Sequence, residues 1–546
     1  MYINPGNVNF KVVNTLCKEK RYVDKTMLIE HINQRIDQHP ALVCISRTRR
    51  SGKTYAAKML TGYYDCSCDS HHLFDDKKIA SRPSYEKHLN NYTVILLDIV
   101  GIKSSFSYMQ EPMSGIPKQI EKSLHRELLE IDPSITPSDN LVDEMLQFVE
   151  HSGRKLVFII DEYDAIVREE ADDLEAQEAY FNLLRTWFEN DNFVNKAVAL
   201  VYMTGILPIK KENGQSVISG FEEFTMFDSR DLLEFTGYTE EEVRKLCVNH
   251  HMDFEEMKQM YDGYRYPEVG VLYNPYSVSE AIYHHNVESF WTQTCSYLFL
   301  EEYISMDFDG LGRCALELVA GYDIPIKTDD FANDFVTIRN KDDVLTLLAL
   351  CGYLDYDSEN STVRIPNREI RKQFQSAIQH ADGAEIQRHV SYSKKLFHDT
   401  YWKRDESVAL QIKSFIMEQT LPFYIDDDDS LRYIIQMAYL LYFDDFDHWI
   451  ELPSEKGCID IAFLPKKNRP PHYNNPCLVV ELKWNKDCES WIQRIRRGQY
   501  PESLQGKWEG IFLVELSYDK DMPIDNRTIV CKTEFIEEKI DTNCKE

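Results

Sequence analysis

The sequence has no apolar run long enough to span a membrane. About 18 consecutive apolar residues are needed, and no such stretch occurs in its 546 residues. The first residues, Met1 to Gly6, also lack the basic segment and apolar core of a secretory signal. The 13 cysteines are scattered and odd in number, as is typical of free thiols in a reducing compartment. We therefore expect an intracellular protein, cytoplasmic or nuclear, with no membrane partner.

Positive charge is also scarce. The chain has 61 Lys and Arg against 91 Asp and Glu, for a formal net charge of -30. A polyanionic surface repels nucleic acid, so we do not expect avid nonspecific binding of DNA or RNA by the whole protein, and any contact must be local. Internal repeats and low-complexity tracts are absent too. The length suggests about three or four globular domains.

A phosphate-binding loop is indicated near the N-terminus. The apolar run Ala41–Ser46 predicts a buried strand, which continues through Arg47-Thr-Arg-Arg-Ser-Gly-Lys-Thr54 into an expected helix. In such a loop a glycine lets the backbone approach the phosphates, the lysine reaches the β and γ phosphates, and the threonine offers its hydroxyl to Mg²⁺. The residues expected at the phosphates are Ser51, Gly52, Lys53 and Thr54. Because Arg47 replaces the usual first glycine, a chance Gly-Lys-Thr remains the alternative.

Two carboxylates follow a later apolar strand and support the first motif. Asp161 and Glu162 stand directly after Leu156–Ile160. Asp161 is expected to bind Mg²⁺ through water, and Glu162 to polarise the attacking water. Thr204, at the end of the following apolar run, is a candidate sensor beside the γ-phosphate. The order of these three elements favours a nucleotide-hydrolysing site over coincidence.

Apolar runs alternate with amphipathic segments in the N-terminal half, which predicts an α/β domain with a parallel sheet. The expected strands are Val43–Ser46, Thr93–Asp98, Leu156–Ile160 and Ala197–Met203. Beyond Thr239–Glu242, which can cap a helix, the pattern is mostly helical and predicts a lid. Asp342–Leu354 and a hairpin over Tyr356–Pro366 fit either a winged-helix-like module or a simple helix and hairpin that close the preceding domain.

A second acidic cluster lies near the C-terminus. Expected strands there are Trp449–Leu452, Cys458–Phe463, Cys477–Leu482 and Gly510–Leu516. Asp460 and Glu481 on two of these strands can bind a hard cation such as Mg²⁺. Lys483 lies two residues after Glu481 and therefore on the same face of its strand, where its charge can offset a phosphorane. An ordinary pair of strands with polar ends is the alternative.

Taken together, these motifs resemble the AAA-ATPase-like family, whose members often carry a C-terminal PD-(D/E)xK nuclease-like domain. The matching segments are Tyr22–Thr26, Arg47–Thr54, Ile160–Asp164, Thr204–Gly205, Phe235–Val243, Tyr261–Tyr264 and Tyr273–Ser277. The resemblance implies ATP and Mg²⁺ as ligands, a P-loop NTPase core with a helical lid, and a restriction-endonuclease-like α/β domain. It also implies Arg49 and Arg50 as phosphate contacts, with ordinary surface arginines as the alternative.

In the C-terminal domain the resemblance implies that Asp460 and Glu481 coordinate Mg²⁺ while Lys483 orients or activates water. Related sequences often carry further carboxylates where Glu451 and Asp429 stand. A basic and aromatic cluster is the candidate contact for DNA or RNA, although a solvated helix face explains its arginines almost as well: Lys483, Trp484, Lys486, Trp491, Arg494, Arg496 and Arg497. Ring assembly is common in AAA-type ATPases, so a homo-oligomer is a candidate state.

We therefore expect an ATPase core over residues 1–235, a helical lid with a winged-helix-like segment over 236–385, and a nuclease-like domain over 386–546. The expected function is ATP binding and hydrolysis that control Mg²⁺-dependent cleavage of nucleic acid phosphodiesters. The alternative is an ATP-dependent signalling switch whose nuclease-like domain binds without cutting.

Overall fold

The computed structural model describes residues 2–212, 214–228, 230–291, 297–306, 309–419, 435, 437–439, 446–454, 457–465, 477–484, 510–519 and 528–537. The helices are α1 Val12–Lys18, α2 Met27–Gln38, α3 Lys53–Tyr64, α4 His71–Phe74, α5 Tyr85–His88, α6 Ile99–Ser107, α7 Ile116–Ile131, α8 Leu141–Ser152, α9 Ala165–Glu169, α10 Leu174–Phe188, α11 Asp191–Ala197, α12 Glu240–His250, α13 Phe254–Tyr261, α14 Pro275–His284, α15 Tyr297–Met306, α16 Leu311–Ala320, α17 Lys341–Cys351, α18 Arg368–His380, α19 Ala384–Tyr401 and α20 Asp405–Gln419.

The strands are β1 Ala41–Ser46, β2 Thr93–Asp98, β3 Leu156–Asp161, β4 Val198–Gly205, β5 Lys211–Glu212, β6 Gln215–Ser216, β7 Glu222–Phe224, β8 Tyr238–Thr239, β9 Tyr264–Tyr266, β10 Gly270–Tyr273, β11 Ile324–Pro325, β12 Asp355–Asp357, β13 Thr362–Arg364, β14 Phe446–Ser454, β15 Gly457–Pro465, β16 Cys477–Trp484, β17 Gly510–Tyr518 and β18 Ile529–Glu537. Within the described ranges no helix has the length and apolarity that a membrane crossing requires.

The chain forms two compact units, one of residues 1–296 and 324–370 and the other of residues 297–323 and 371–546. The first unit is built on a parallel sheet with the strand order β2-β3-β4-β1-β7. Every residue of β3 and β4 is buried, as expected for central strands that are covered on both faces. This sheet confirms the predicted α/β class, and the predicted division into three domains stays a prediction.

Local sequence explains where the helices of the first unit begin and end. Thr239 caps α12 through a capping box with Glu242, as its sequence predicted. Asn140 caps α8, which ends at Gly153 in a left-handed conformation with φ of 65°. The region after β7 is not purely helical, because β8, β10 and β9 form a small antiparallel sheet among α12, α13 and α14.

The helix and hairpin that the sequence predicted before residue 370 are present. Helix α17 is followed by the antiparallel pair β12 and β13, and β11 adds a third strand beside β13. The cap of α17 is Asn340, whose side chain accepts the N–H of Asp343. The winged-helix-like interpretation of this segment stays a prediction.

The second unit contains a separate mixed sheet with the order β14-β15-β16-β17-β18. Strands β14, β15 and β16 pair antiparallel, β17 runs parallel to β16, and β18 is antiparallel to β17. A small core of buried side chains from β15, β16 and β17 fills one face: Ala462, Cys477, Val479, Ile511 and Leu513. This sheet confirms an α/β unit with its own core, while its nuclease-like character stays a prediction.

Candidate functional site

The loop between β1 and α3 has a backbone shape that depends on its glycine. Gly52 precedes α3 with φ of 97°, and Arg50 also lies in the left-handed region with φ of 66°. No side chain caps the helix, so its first N–H groups point into the loop, where an anion can accept hydrogen bonds from them. Ser51 is buried, and its hydroxyl has no hydrogen-bond partner among the described residues. The loop therefore holds unused donors for phosphate oxygens.

Lys53 is buried at the start of α3, with 4% of its surface exposed. Its ammonium group donates hydrogen bonds to the carbonyl oxygens of Arg47 (2.9 Å) and Thr48 (2.8 Å). Burial lowers the pKa of Lys53, although nearby carboxylates, Glu162 first among them, favour the charged form. An anionic ligand near this ammonium would compensate for the solvation that it has lost.

The two carboxylates predicted at the end of β3 lie beside the end of β4. Thr204 is fully buried, its hydroxyl donates to Asp161 Oδ1, and it accepts the N–H of Glu162 at 3.3 Å. Glu162 has φ of 54°, an unfavourable conformation for a residue with a Cβ and one that often marks functional sites. Burial raises the pKa of Glu162, and Lys53 partly opposes this shift.

An arginine that the sequence interpretation missed lies in the corner where the ends of β3 and β4 meet. Arg168 of α9 has 5% of its side chain exposed and lies 2.5 Å from Glu162 and 2.9 Å from Asp164. Burial disfavours its charged form, but the carboxylates of Asp164 and Glu162 outweigh this effect and raise its pKa. The signal was available, because Asp164 and Arg168 are four residues apart, the spacing of an ion pair on a helix.

A cavity of about 550 Å³ opens at this corner and reaches over the loop. Its polar wall contains the loop itself with Glu162 and Arg168. The charged residues Arg21, Lys25 and Glu169 also line the cavity. Much of the remaining wall is apolar or aromatic, with Leu16, Tyr22, Val23, Tyr55, Met59, Phe235, Tyr238 and Tyr276 among its residues. Because ligand pockets are mostly apolar with a few polar groups placed to fix orientation, a ligand with a phosphate end and an aromatic end matches this lining.

The predicted phosphate contacts Arg49 and Arg50 are exposed residues that line the same cavity. Asn274 donates a hydrogen bond of 3.1 Å to the Arg49 carbonyl oxygen. The guanidinium carbon of Arg50 lies 4.9 Å from the ring centroid of Tyr276, a cation–π distance. Residues near α14 therefore hold the loop through its backbone and one of its arginines, while Thr54 lies half-buried on the cavity wall.

In the second unit, Asp460 and the Glu481–Lys483 segment come together at neighbouring strands. Asp460 Oδ2 accepts the N–H of Leu482 at 2.8 Å. Glu481 is 7% exposed, and its Oε1 has no hydrogen-bond partner among the described residues. Burial, followed by the nearby charge of Asp460, raises the pKa of Glu481 to about 9. This oxygen is the atom of the cluster that most clearly fits a cation ligand.

A third carboxylate that the sequence interpretation missed joins this cluster. Glu515 on β17 stands directly opposite Glu481 on β16, is 2% exposed, and forms an ion pair with Lys483. A glutamate within the otherwise apolar segment Gly510–Leu516 was the available signal. Nevertheless, the described side chains include no group of three or more His, Cys, Asp or Glu arranged to hold a metal ion.

Several residues predicted for this region lie wholly or partly outside the described residues. Asp429, Lys486, Trp491, Arg494, Arg496 and Arg497 lie outside the described residues. Glu451 and Trp484 are described as backbone positions of β14 and β16, and their side chains are outside the description. The predicted contact with DNA or RNA therefore stays a prediction.

Comparison with known proteins agrees with the geometry of the first site. Residues 7–213 match the AAA-ATPase-like family, which is described as a predicted AAA-ATPase. This region is thus a predicted AAA-ATPase-like domain, and the family implies nucleotide binding. The resemblance inferred from the motifs is confirmed for this part of the chain. The family model ends at residue 213, and the nuclease-like domain stays a prediction.

No curated protein matches the chain. Among solved structures, it is similar to a Walker-type ATPase of Pyrococcus abyssi, with a TM-score of 0.32, 13% identity, and coverage of 65% of this chain and 97% of that one. It is also similar to a signal-transduction ATPase with a tetratricopeptide-repeat sensor from Pyrococcus horikoshii (TM-score 0.24, 12% identity, 75% and 49% covered). The ORC2 protein of Aeropyrum pernix gives a TM-score of 0.26 and 12% identity, with 65% and 93% covered.

Proposed function

We propose that the first unit binds and hydrolyses ATP, and that its nucleotide state controls a Mg²⁺-dependent nuclease-like activity of the second unit. The observation that carries the ATPase half is the meeting of Lys53, Glu162 and Arg168 on the wall of one cavity. An isolated Gly-Lys-Thr would not explain why the acidic end of β3 lies against the same cavity.

The proposed roles follow from the chemistry of each side chain. Lys53 exchanges its two carbonyl partners for the β and γ phosphates, and Ser51 offers its unpartnered hydroxyl to the same anion. Glu162 accepts the proton of the attacking water. Thr54 and Asp161 would hold Mg²⁺, which neutralises developing charge on the phosphates when bound. The aromatic wall would receive the adenine base.

The ATPase proposal is tested on the full chain by measuring nucleotide binding and phosphate release separately. We expect Lys53→Ala to abolish ATP binding, and Glu162→Gln to keep binding but reduce turnover by about 10²–10⁴-fold. Lys58→Ala, on the same helix α3, is the matched control and should match the parent protein. Turnover that persists in Lys53→Ala would contradict the assignment of this loop as the phosphate site.

The proposed nuclease-like half rests on the cluster in the second unit. Asp460 and Glu481 are the proposed Mg²⁺ ligands, and the buried, unpartnered Glu481 Oε1 supports this choice. Lys483 is proposed to orient water and to stabilise the charge that develops on a phosphodiester. The pairing of strands in the mixed sheet favours this proposal, because it brings Asp460 beside the Glu481–Lys483 segment.

One observation favours the second candidate, a signalling switch whose C-terminal domain binds without cutting. Lys483 is already engaged by the buried carboxylate of Glu515. In this arrangement its charge is neutralised by a protein group, whereas cleavage needs that charge at the substrate. Lys483 would have to leave Glu515 before its charge could reach a substrate.

Incubation with labelled single- and double-stranded DNA and RNA distinguishes the two candidates. The reactions contain Mg²⁺ or Mn²⁺, with and without ATP, and compare the parent protein with Asp460→Ala and Lys53→Ala. Cleavage that is lost in Asp460→Ala and that responds to ATP only when Lys53 is intact supports the controlled nuclease. ATP turnover without cleavage in either metal rejects the nuclease half and leaves the switch.

A further inference from the structure

A single buried carboxylate connects the segment after Thr204 to the corner of Glu162. Asp164 is 1% exposed, and its Oδ2 accepts the N–H groups of Ile206 and Leu207, both at 2.9 Å. The same oxygen accepts a hydrogen bond from Arg168 Nε at 2.9 Å. Asp164 therefore fixes the backbone beyond β4 and the arginine at the same time.

Gly205 allows this close approach. A Cβ at this position would lie 2.6 Å from a ring carbon of Tyr163 and 2.8 Å from Asp164 Oδ1. Both neighbours are buried at 1% exposure and cannot swing into solvent. The end of β4 and the Asp164 carboxylate can therefore pack against each other only because residue 205 has no side chain.

A second nitrogen of the Arg168 guanidinium holds Glu162. Nη2 lies 2.5 Å from Glu162 Oε2, while the planar fork is kept in place by the bond from Nε to Asp164. Only Oε2 takes part in this contact. A guanidinium fixed in this way can orient a carboxylate more strictly than an ammonium can, because its donors lie in one rigid plane.

We propose that Arg168 is a positioning residue for Glu162, and that together with Asp164 it couples the orientation of the water-activating carboxylate to the position of the Thr204 segment. This inference rests on the proposed ATPase function. A movement of Thr204 in response to the γ-phosphate would pass through the Ile206 and Leu207 amides to Asp164, and from there through Arg168 to Glu162. Hydrolysis would thus depend on an arginine supplied by the same chain.

Arg168 also lines the cavity, so a direct contact between its guanidinium and the phosphate is the alternative to a positioning role. An arginine that bound the γ-phosphate would contribute to ATP affinity and would lower turnover whether or not Glu162 is present. An arginine that acts through Glu162 contributes to turnover only while the carboxylate is there to be oriented. A double-mutant cycle separates these cases.

The test measures kcat, KM and the ATP and ADP dissociation constants of four full-length proteins: the parent, Arg168→Met, Glu162→Gln and the double variant. We expect Arg168→Met to lower kcat by about 10–100-fold with KM and both dissociation constants changed by less than about threefold. In the Glu162→Gln background, the same substitution should lower kcat by less than about twofold. Arg168→Lys, which keeps the charge without the fork, should recover part of the lost kcat.

Two further measurements keep the test decisive. Arg126→Met removes an exposed arginine with 69% of its side chain accessible, and should leave kcat unchanged. Retention of ADP binding by Arg168→Met and Arg168→Lys shows that the unit is folded. Should Arg168→Met fail to fold, the comparison of Arg168→Lys with and without Glu162→Gln answers the same question.

Three results would overturn the positioning role: an unchanged kcat in Arg168→Met, a loss that multiplies fully with that of Glu162→Gln, or a selective loss of ATP over ADP affinity. The last two would indicate a direct phosphate contact. Failure of the underlying ATPase proposal has a different signature, because the parent protein itself would show no turnover and the inference would fall with it.

Discussion

Replacement of Glu369 should destabilise part of the wall of the proposed nucleotide cavity, although Glu369 is not among the residues that line it. Glu369 is 2% exposed. Its Oε2 accepts the Ser277 hydroxyl at 2.7 Å, and its Oε1 accepts the N–H groups of Phe290 (2.6 Å) and Trp291 (2.7 Å). Ser277 belongs to α14, the helix whose neighbouring residue Tyr276 lines the cavity. The carboxylate thus joins the start of α18 to α14, which contributes Tyr276 to the cavity wall.

The expected loss of local stability in Glu369→Gln follows from these three hydrogen bonds. A hydrogen bond to a charged group contributes about 1.5–3 kcal/mol, so three give an upper limit of about 5–9 kcal/mol. Glu369→Gln keeps the shape but removes the charge: the amide nitrogen can donate to the Ser277 hydroxyl, and the amide oxygen keeps the two N–H groups, so that each bond becomes a neutral one worth about 0.5–1.5 kcal/mol. Partial relaxation and water reduce the loss, and we expect about 2–4 kcal/mol of local stability to disappear. Folded domains are stable by about 5–15 kcal/mol, so the unit should remain folded but open more often.

Hydrogen exchange at the amides of Phe290 and Trp291 is the direct assay, because these groups donate to the carboxylate. A loss of about 2–4 kcal/mol corresponds to exchange that is faster by about 30–1000-fold, and ATP binding should weaken in parallel. Ser277→Ala, which removes one of the three bonds, should cost about 1 kcal/mol. Glu280→Gln, on the same helix with its side chain 31% exposed, is the control and should change little. Unchanged exchange in Glu369→Gln would refute the reasoning.

Three further outcomes can be measured independently. Thr204→Val removes the hydroxyl that bonds Asp161 but keeps the side-chain shape; phosphate release should fall by about 10–100-fold while ATP affinity stays within threefold. Gly205→Ala places a Cβ against Tyr163 and should cost about 1–3 kcal/mol by overpacking, seen as a lower thermal midpoint; an unchanged midpoint would contradict that contact. Because the folded-state pKa of Glu481 is raised to about 9 from 4.5, its contribution to stability is fully present below about pH 4.5 and is lost as the pH rises towards 9. Denaturation of the second unit should therefore become easier over that interval, and Glu481→Gln should remove this dependence; a pH dependence that is the same in both proteins would contradict the shift.

Much of both sheets could be predicted from apolar runs. The predicted strand Thr93–Asp98 agrees with β2, and the expected runs in the second unit all lie within β14 to β17. Burial on both faces produces a continuous apolar segment that can be read without knowledge of its partners. By contrast, β18 and the small sheet of β8, β9 and β10 were missed. These strands have mixed polarity, and their structure depends on pairing with residues distant in the sequence.

The residues of the candidate sites could likewise be recognised from short stretches of sequence. Lys53 could be assigned because it lies in a Gly-Lys-Thr triplet between an apolar strand and a helix. Glu162 and Thr204 could be assigned because each stands at the end of an apolar strand, and parallel strands bring their ends to one edge of a sheet. The same logic singled out Glu481 and Lys483, whose spacing of two places them on one strand face. Spacing and residue type are properties of the chain itself, and the sequence alone was enough to locate them.

Only the tertiary structure decided which partners these groups have. The link from Arg168 through Asp164 to the amides beyond Thr204 and the ion pair of Lys483 with Glu515 each join elements that are separate in sequence. Such contacts depend on strand register and on the path of the chain between elements, and a shift of one residue would turn the side chains to the opposite face. The sequence by itself therefore determined the groups available for phosphate chemistry, whereas the folded chain determined which of them are restrained and by what.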